Sequence, residues 1–178
     1  MLLLILTSLA AANTAAAGNL LGNGGFESGL NAPWGKGQYA AGRSVWWNTQ
    51  GCASSADIDE TTAVEGLVSL HIINSSARTS QVYGTTVQRI SIKANHPYRI
   101  SAWAQGLNLA SNGAVVIIVD DAWRVRPIVL PAGTFAWTRL SATFTLPADH
   151  ASIRILSEDK GEAWLDDLEI TPLDSTLQ

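Results

Sequence analysis

The sequence predicts an all-β fold, an antiparallel two-sheet β-sandwich of the jelly-roll kind. Three observations predict it. Short runs of alternating or β-branched apolar residues recur along the chain, with Gly, Pro, Asn and Asp between them. No stretch beyond residue 17 sustains a helical period. The two ends are also matched. Asn19-Leu20-Leu21-Gly22-Asn23-Gly24-Gly25-Phe26-Glu27 and Trp164-Leu165-Asp166-Asp167-Leu168-Glu169-Ile170 each set acidic oxygen beside apolar strand residues. If the first and last strands lie side by side, Glu27 and one aspartate of the closing pair can share one hard cation.

The chain has 178 residues, which suits one domain. Met1 to Ala12 is apolar and leads to Ala15-Ala16-Ala17. A run of about a dozen residues is too short to span a bilayer, which needs roughly 20. It reads as a secretory signal peptide cut after Ala17, although its only positive charge is the amino terminus. The division is therefore signal peptide 1–17, sandwich 18–173 and a short tail 174–178. The protein is expected outside the cell or in the periplasm, with no membrane insertion.

Strand signals follow in order. Residues 68–73 form the first, residues 85–92 the second. Residues 98–105 alternate, with Tyr98, Ile100, Ala102 and Ala104 on one face and Arg99, Ser101, Trp103 and Gln105 on the other. Residues 114–119 form a continuous apolar run, as in a strand covered on both faces. Residues 123–130 follow. Residues 137–146 place Leu140, Ala142, Phe144 and Leu146 inward. Residues 152–157 and 163–170 close the set, for about nine strands. Gly29 to Ile58 reads as the longest irregular stretch, where binding residues tend to sit.

A formal net charge of −4, with no basic cluster, argues against a sequence-independent nucleic-acid binder. Cys52 is the only cysteine, so no internal disulfide forms. Asn74-Ser75-Ser76 is a glycosylation acceptor in a eukaryotic host.

Five pieces in order carry a resemblance. They are the opening Asn-Leu-Leu-x-Asn-Gly-x-Phe-Glu; Gly66-Leu67-Val68-Ser69-Leu70; Tyr98-Arg99-Ile100-Ser101-Ala102-Trp103; Trp137-Thr138-Arg139 leading to Phe144-Thr145; and Trp164-Leu165-Asp166-Asp167-Leu168. Together they resemble the carbohydrate-binding modules of families 4, 9 and 22, which are galactose-binding-domain-like β-sandwiches. The resemblance implies a structural calcium ion. By that match Glu27 and Asp166 give side-chain oxygens, and the carbonyl of Gly25 and one before Ser69 complete the shell. Asp167 lies on the opposite strand face from Asp166 and is not expected to reach the ion. The plainer reading makes Glu27 and Asp166 turn and strand-end hydrogen-bond acceptors.

Sugars present apolar C–H faces ringed by hydroxyls, and an indole ring is a wide rigid platform for them. The chain has seven tryptophans. The expected cleft is Trp103 with Gln105, Arg99 and Ser101, flanked by Trp46 or Trp47 and by Trp123, Asp120 and Arg124. Trp34 also lies in the irregular stretch, while Trp137 and Trp164 are expected to cover core edges. Arg99, Arg124, Arg126 and Arg139 favour an acidic polysaccharide or are solvated strand-face residues. No nucleophile-elbow, zinc or phosphate-loop motif occurs. A glycosidase pair would have to come from Asp120 with Glu158 or Asp59. The expectation is a secreted, non-catalytic module that recognises a polysaccharide or glycan and is not an enzyme. The alternative is an extracellular structural or adhesion subunit, working by self-association or contact with a neighbouring extracellular protein.

Overall fold

Alternation of side chains along each strand organises the molecule into two layers. The computed structural model describes residues 18–29, 33–35 and 47–173. The segment read as a signal peptide, the tail 174–178 and Trp46 lie outside the described residues. The strands are β1 (Asn48–Gln50), β2 (Ser54–Asp59), β3 (Ser69–Asn74), β4 (Tyr83–Ser91), β5 (Pro97–Leu109), β6 (Val115–Ile118), β7 (Ile128–Val129), β8 (Gly133–Thr145), β9 (His150–Ser157) and β10 (Gly161–Pro172). No helix occurs among the described residues. One sheet, A, has the order β1-β4-β9-β6-β7, and the other, B, has the order β2-β3-β10-β5-β8. Every pairing is antiparallel.

The core lies between the sheets. Ile100, Ala102 and Ala104 of β5, Leu165 and Ile170 of β10, and Leu70 and Ile72 of β3 come from sheet B. Val115 and Ile117 of β6 and Ile153 and Ile155 of β9 meet them from sheet A. Each of the Val, Leu and Ile side chains contributes about 1.5–3 kcal/mol on burial, and each alanine methyl less. The inward residues of β5 match the alternation in the sequence. In β8, Phe144 is buried and Leu140 and Ala142 are partly buried against the core.

Two expectations are corrected. Residues 29–58 are not irregular throughout, because they hold β1 and β2, which join different sheets on either side of Gly51 at φ 68°. Residues 123–127 are not strand, and only Ile128–Val129 pair with β6. A turn carries the chain from Asp120 to Trp123, where the Asp120 carbonyl accepts the Trp123 N–H at 3.3 Å.

The two ends do meet. Asn19 Nδ2 donates to the Leu168 carbonyl at 2.9 Å, and its Oδ1 accepts from Ile170 N at 2.9 Å. Leu168 N donates to the Gly24 carbonyl at 3.0 Å. A Cβ at Gly24 would overlap the Leu168 carbonyl, so only glycine fits this approach. The β5 pairing of β10 slips between Asp166 and Glu169, and Asp167 sits there in the left-handed region with φ 47°. This bulge takes Asp167 out of the ladder.

Candidate functional site

The outer faces of the two sheets differ in what covers them. On sheet B, residues 60–68 leave β2 and cross the face before returning to β3. Trp164 Nε1 donates to Asp59 at 2.8 Å at the start of this loop, and Trp137 Nε1 donates to Thr62 Oγ1 at 3.2 Å. Ser69 Oγ donates to the Thr62 carbonyl at 2.7 Å. The Thr61 hydroxyl, helped by the Thr61 N–H and by Trp164, holds the Asp59 carboxyl down at about 2. His71 stacks on Trp164 with centroids 4.3 Å apart. Trp103 lies opposite Asp166 on β10 and Arg139 on β8. Two of these indoles tie the loop to the sheet, and the third stands beside them.

The same loop closes on the acidic pair. Asp166 is fully buried, and its Oδ2 accepts from Val64 N at 2.7 Å and Glu65 N at 3.0 Å. Glu27 Oε1 accepts from Leu67 N at 2.9 Å and Val68 N at 3.2 Å. Gly25 adjoins both, since a Cβ there would stand 3.8 Å from Asp166 Oδ1 and 3.9 Å from Glu27 Cγ. Neither carboxylate has an ion pair among the described residues. The partners of both carboxylates are backbone N–H groups: both Asp166 oxygens and Glu27 Oε1 accept from amides, which leaves Glu27 Oε2 as the oxygen with no donor among the described residues. No cluster of three or more His, Cys, Asp and Glu fit to hold a metal occurs among the described residues. A cation here would draw the rest of its shell from carbonyls and water.

Sheet A presents a different face. Val116, Ile118 and Leu156 point away from the core yet are buried, forming a second apolar cluster under Tyr83 and Trp123. The two rings are 5.1 Å apart and tilted by 59°. Trp123 holds φ 63°, a left-handed conformation uncommon for a large residue, and such outliers gather at functional sites. Asp120 Oδ1 fixes this turn by accepting from Arg124 N at 2.9 Å and Val125 N at 2.8 Å.

Charged groups flank the rings. Arg154 pairs across the sheet with Val87 and Ile118 and is only 3% exposed. Its guanidinium carbon lies 4.9 Å from the Trp123 ring centroid. Asp121 collects Ser152 Oγ at 2.5 Å, His150 Nε2 at 2.9 Å and Arg89 Nη2 at 3.0 Å. The Ser152 hydroxyl, then His150 and Arg89, hold the Asp121 carboxyl far below the usual range. Asp149 and then Asp121 push His150 up from its ordinary value. On the other side of the rings, Arg126 grips Glu158 with two nitrogens at 3.0 and 3.2 Å. Tyr83, Glu158 and the 78–82 turn line a cavity of about 370 Å³ there.

The expected cleft does not assemble. Arg99, Trp103 and Gln105 stand on the outer face of sheet B, whereas Trp123 stands on the outer face of sheet A, with the core between them. Trp47 packs against the core beside Gly84 and donates to Ser54 Oγ at 3.2 Å. Trp34 is buried against Phe26. Asp120 clamps a turn, and Arg124 lies beyond that turn at the end of the sandwich. Sequence reasoning missed Tyr83, Arg89, Asp121, His150 and Arg154. The one signal for them was Arg154, a charge inside the apolar run Ile153–Leu156.

The comparisons agree on the kind of domain. The family model described as carbohydrate binding domain (CBM 4/9) matches residues 18–159, which leaves β10 and Asp166 beyond the match. No curated protein matches the chain. Among solved structures, the module TmCBM61 in complex with β-1,4-galactotriose is 15% identical, with 87% of this chain and 99% of that one covered and a TM-score of 0.58. The tandem CBM22-1–CBM22-2 domain of Paenibacillus barcinonensis Xyn10C is 16% identical, with 94% and 48% covered and a TM-score of 0.57. The enzymatically active domain of bacteriophage CBA120 tailspike protein 4 is 14% identical, with 87% of this chain but 21% of that one covered and a TM-score of 0.57. The chain thus spans about a fifth of that tailspike domain and about half of the tandem domain. At these identities the likeness is one of fold.

Proposed function

The chain belongs to the carbohydrate binding domain family, and on that premise we propose that it is a secreted, non-catalytic module that holds a polysaccharide on the outer face of sheet A. The observation that carries this placement is the Tyr83–Trp123 pair over the apolar floor of Val116, Ile118 and Leu156. A pyranose lays its C–H face on these rings, because aromatic surface excludes water from it at little entropic cost. Arg89 and Asp121 on one side, and Arg126 and Glu158 on the other, meet the hydroxyls. Their mutual ion pairs hold them in place before the sugar arrives, which lowers the ordering cost of binding. Relatives solved with bound oligosaccharide, such as the β-1,4-galactotriose complex, support the ligand class.

Calcium is part of the same proposal. Glu27, Asp166 and the Gly25 carbonyl would hold it, fastening the opening segment and residues 60–68 onto β10. It would act on stability and not at the sugar. Export would follow from the apolar leader at residues 1–17.

Affinity electrophoresis in gels containing soluble polysaccharides tests the reading. Retardation that falls with Trp123→Ala or Tyr83→Ala is the expected result. No retardation by any polysaccharide would turn the argument toward an extracellular assembly subunit, and release of reducing ends from a bound polymer would make it an enzyme.

A further inference from the structure

A second concavity lies at the end of the sandwich, between the turn after β6 and the turn after β8. It has a volume of about 420 Å³, within the roughly 300–1,000 Å³ of small-molecule sites. Its floor is apolar, formed by Val125, Leu146, Pro147 and Ala148, and Asp120 and Arg124 stand at its edge. Arg78, Arg89, Arg126, Arg139 and Arg154 each have a carboxylate within 4 Å. Arg124 has no ion pair among the described residues, and its guanidinium is exposed. Asp120 spends Oδ1 on two backbone amides and keeps Oδ2 without a protein donor among the described residues.

We infer that this cavity is a second saccharide site, which takes a single sugar ring and does not need the Tyr83 and Trp123 rings, although Asp121 stands between the two sites. A free guanidinium donor and a free carboxylate oxygen beside an apolar floor suit a neutral ring. A vicinal diol accepts from the one and donates to the other, while the C–H face rests on Leu146 and Pro147. A bare anion would meet Asp120 and Asp121, and a bare cation would meet Arg124 and His150. The choice of a saccharide rests on the function proposed above, but the location does not. Two sites on one module let it bridge two chains, or grip one chain twice with an effective concentration set by the span.

The test is a titration of the ¹⁵N-labelled protein with glucose, galactose and xylose in turn, read by amide chemical shifts. At least one sugar is expected to move the amides of Ala122, Val125, Ala148 and His150, in wild type and in Trp123→Ala alike. Ala148→Trp, whose ring fills the cavity, is expected to abolish these shifts while keeping retardation in polysaccharide gels. Arg124→Ala, an exposed change that leaves the turn's backbone clamp in place, is expected to weaken the same shifts at least tenfold. Silent cavity amides with polysaccharide retardation intact overturn the second site and leave the sheet face standing. Shifts that vanish with Trp123→Ala overturn its independence of that ring. Loss of both responses in wild type overturns both sites.

Discussion

Arg154 lies against the ring of Trp123, with its guanidinium carbon 4.9 Å from the centroid and its side chain 4% exposed. A buried arginine is costly unless its charge is met. Here Asp121 meets it at 3.8 Å and the indole face supplies a second electrostatic partner. The same ring also covers the outward apolar cluster of sheet A. Trp123 therefore links the floor of the face to the charges beside it.

Truncating the ring separates the two faces of the molecule. Trp123→Ala is expected to weaken polysaccharide binding by about 1–3 kcal/mol, by analogy with bases stacked on aromatic side chains. Trp103→Ala is expected to leave binding alone and to lower stability by about 1–3 kcal/mol, because a half-buried indole on the loop-covered face is lost. Gel retardation and urea denaturation of both variants check this. Equal losses of binding in the two would show that the glycan is not confined to sheet A.

Calcium is expected to raise the melting temperature and EDTA to lower it, since an ion that binds only the folded state adds RT ln(1 + [L]/Kd). Glu27→Gln should blunt this response. Asp166→Asn should abolish it and destabilise the metal-free protein as well. Whichever way the new amide turns, its NH₂ faces a backbone N–H that now meets the carboxylate, at a cost of about 1–3 kcal/mol. Identical melting curves in calcium and EDTA would remove the ion from the account.

Stability should fall on both sides of a mildly acidic plateau. Asp149 and Asp121 raise His150 above 6.5, so its contribution is complete below that value and is lost as pH rises through the folded-state value. Thr61 holds Asp59 at about 2, so its contribution is present above the unfolded value near 3.9 and is lost as pH falls through about 2. The stability difference between wild type and His150→Asn should be larger at about pH 5 than at about pH 8. An NMR titration placing His150 at or below 6.5 would contradict it.

Asn74 should carry no glycan despite its acceptor sequence. It is 4% exposed, donates to Ser157 Oγ at 3.0 Å and accepts from Ser76 N at 2.9 Å. Asn74→Ala is expected to cost about 1–3 kcal/mol through the buried partners left behind. The intact mass of folded protein from a eukaryotic host checks the first statement and urea denaturation the second.

The sequence alone determined which way most side chains point within a strand. Tyr98, Ile100, Ala102 and Ala104 face the core because successive residues of a strand alternate and one face must be buried. It also pointed to a meeting of the two ends, which the structure makes through Asn19 and Gly24 on Leu168 and Ile170, while Glu27 and Asp166 are each held by amides of residues 64–68. It could not tell which sheet a strand joins. Trp103 and Trp123 both read as outward, but β5 entered sheet B and the turn carrying Trp123 folded over sheet A, so the core stands between them. The strand order and the crossing of residues 60–68 are fixed by contacts between residues distant in sequence. Only the packed molecule could show that the indoles of one face brace a loop while that of the other is half-buried between Tyr83 and Arg154.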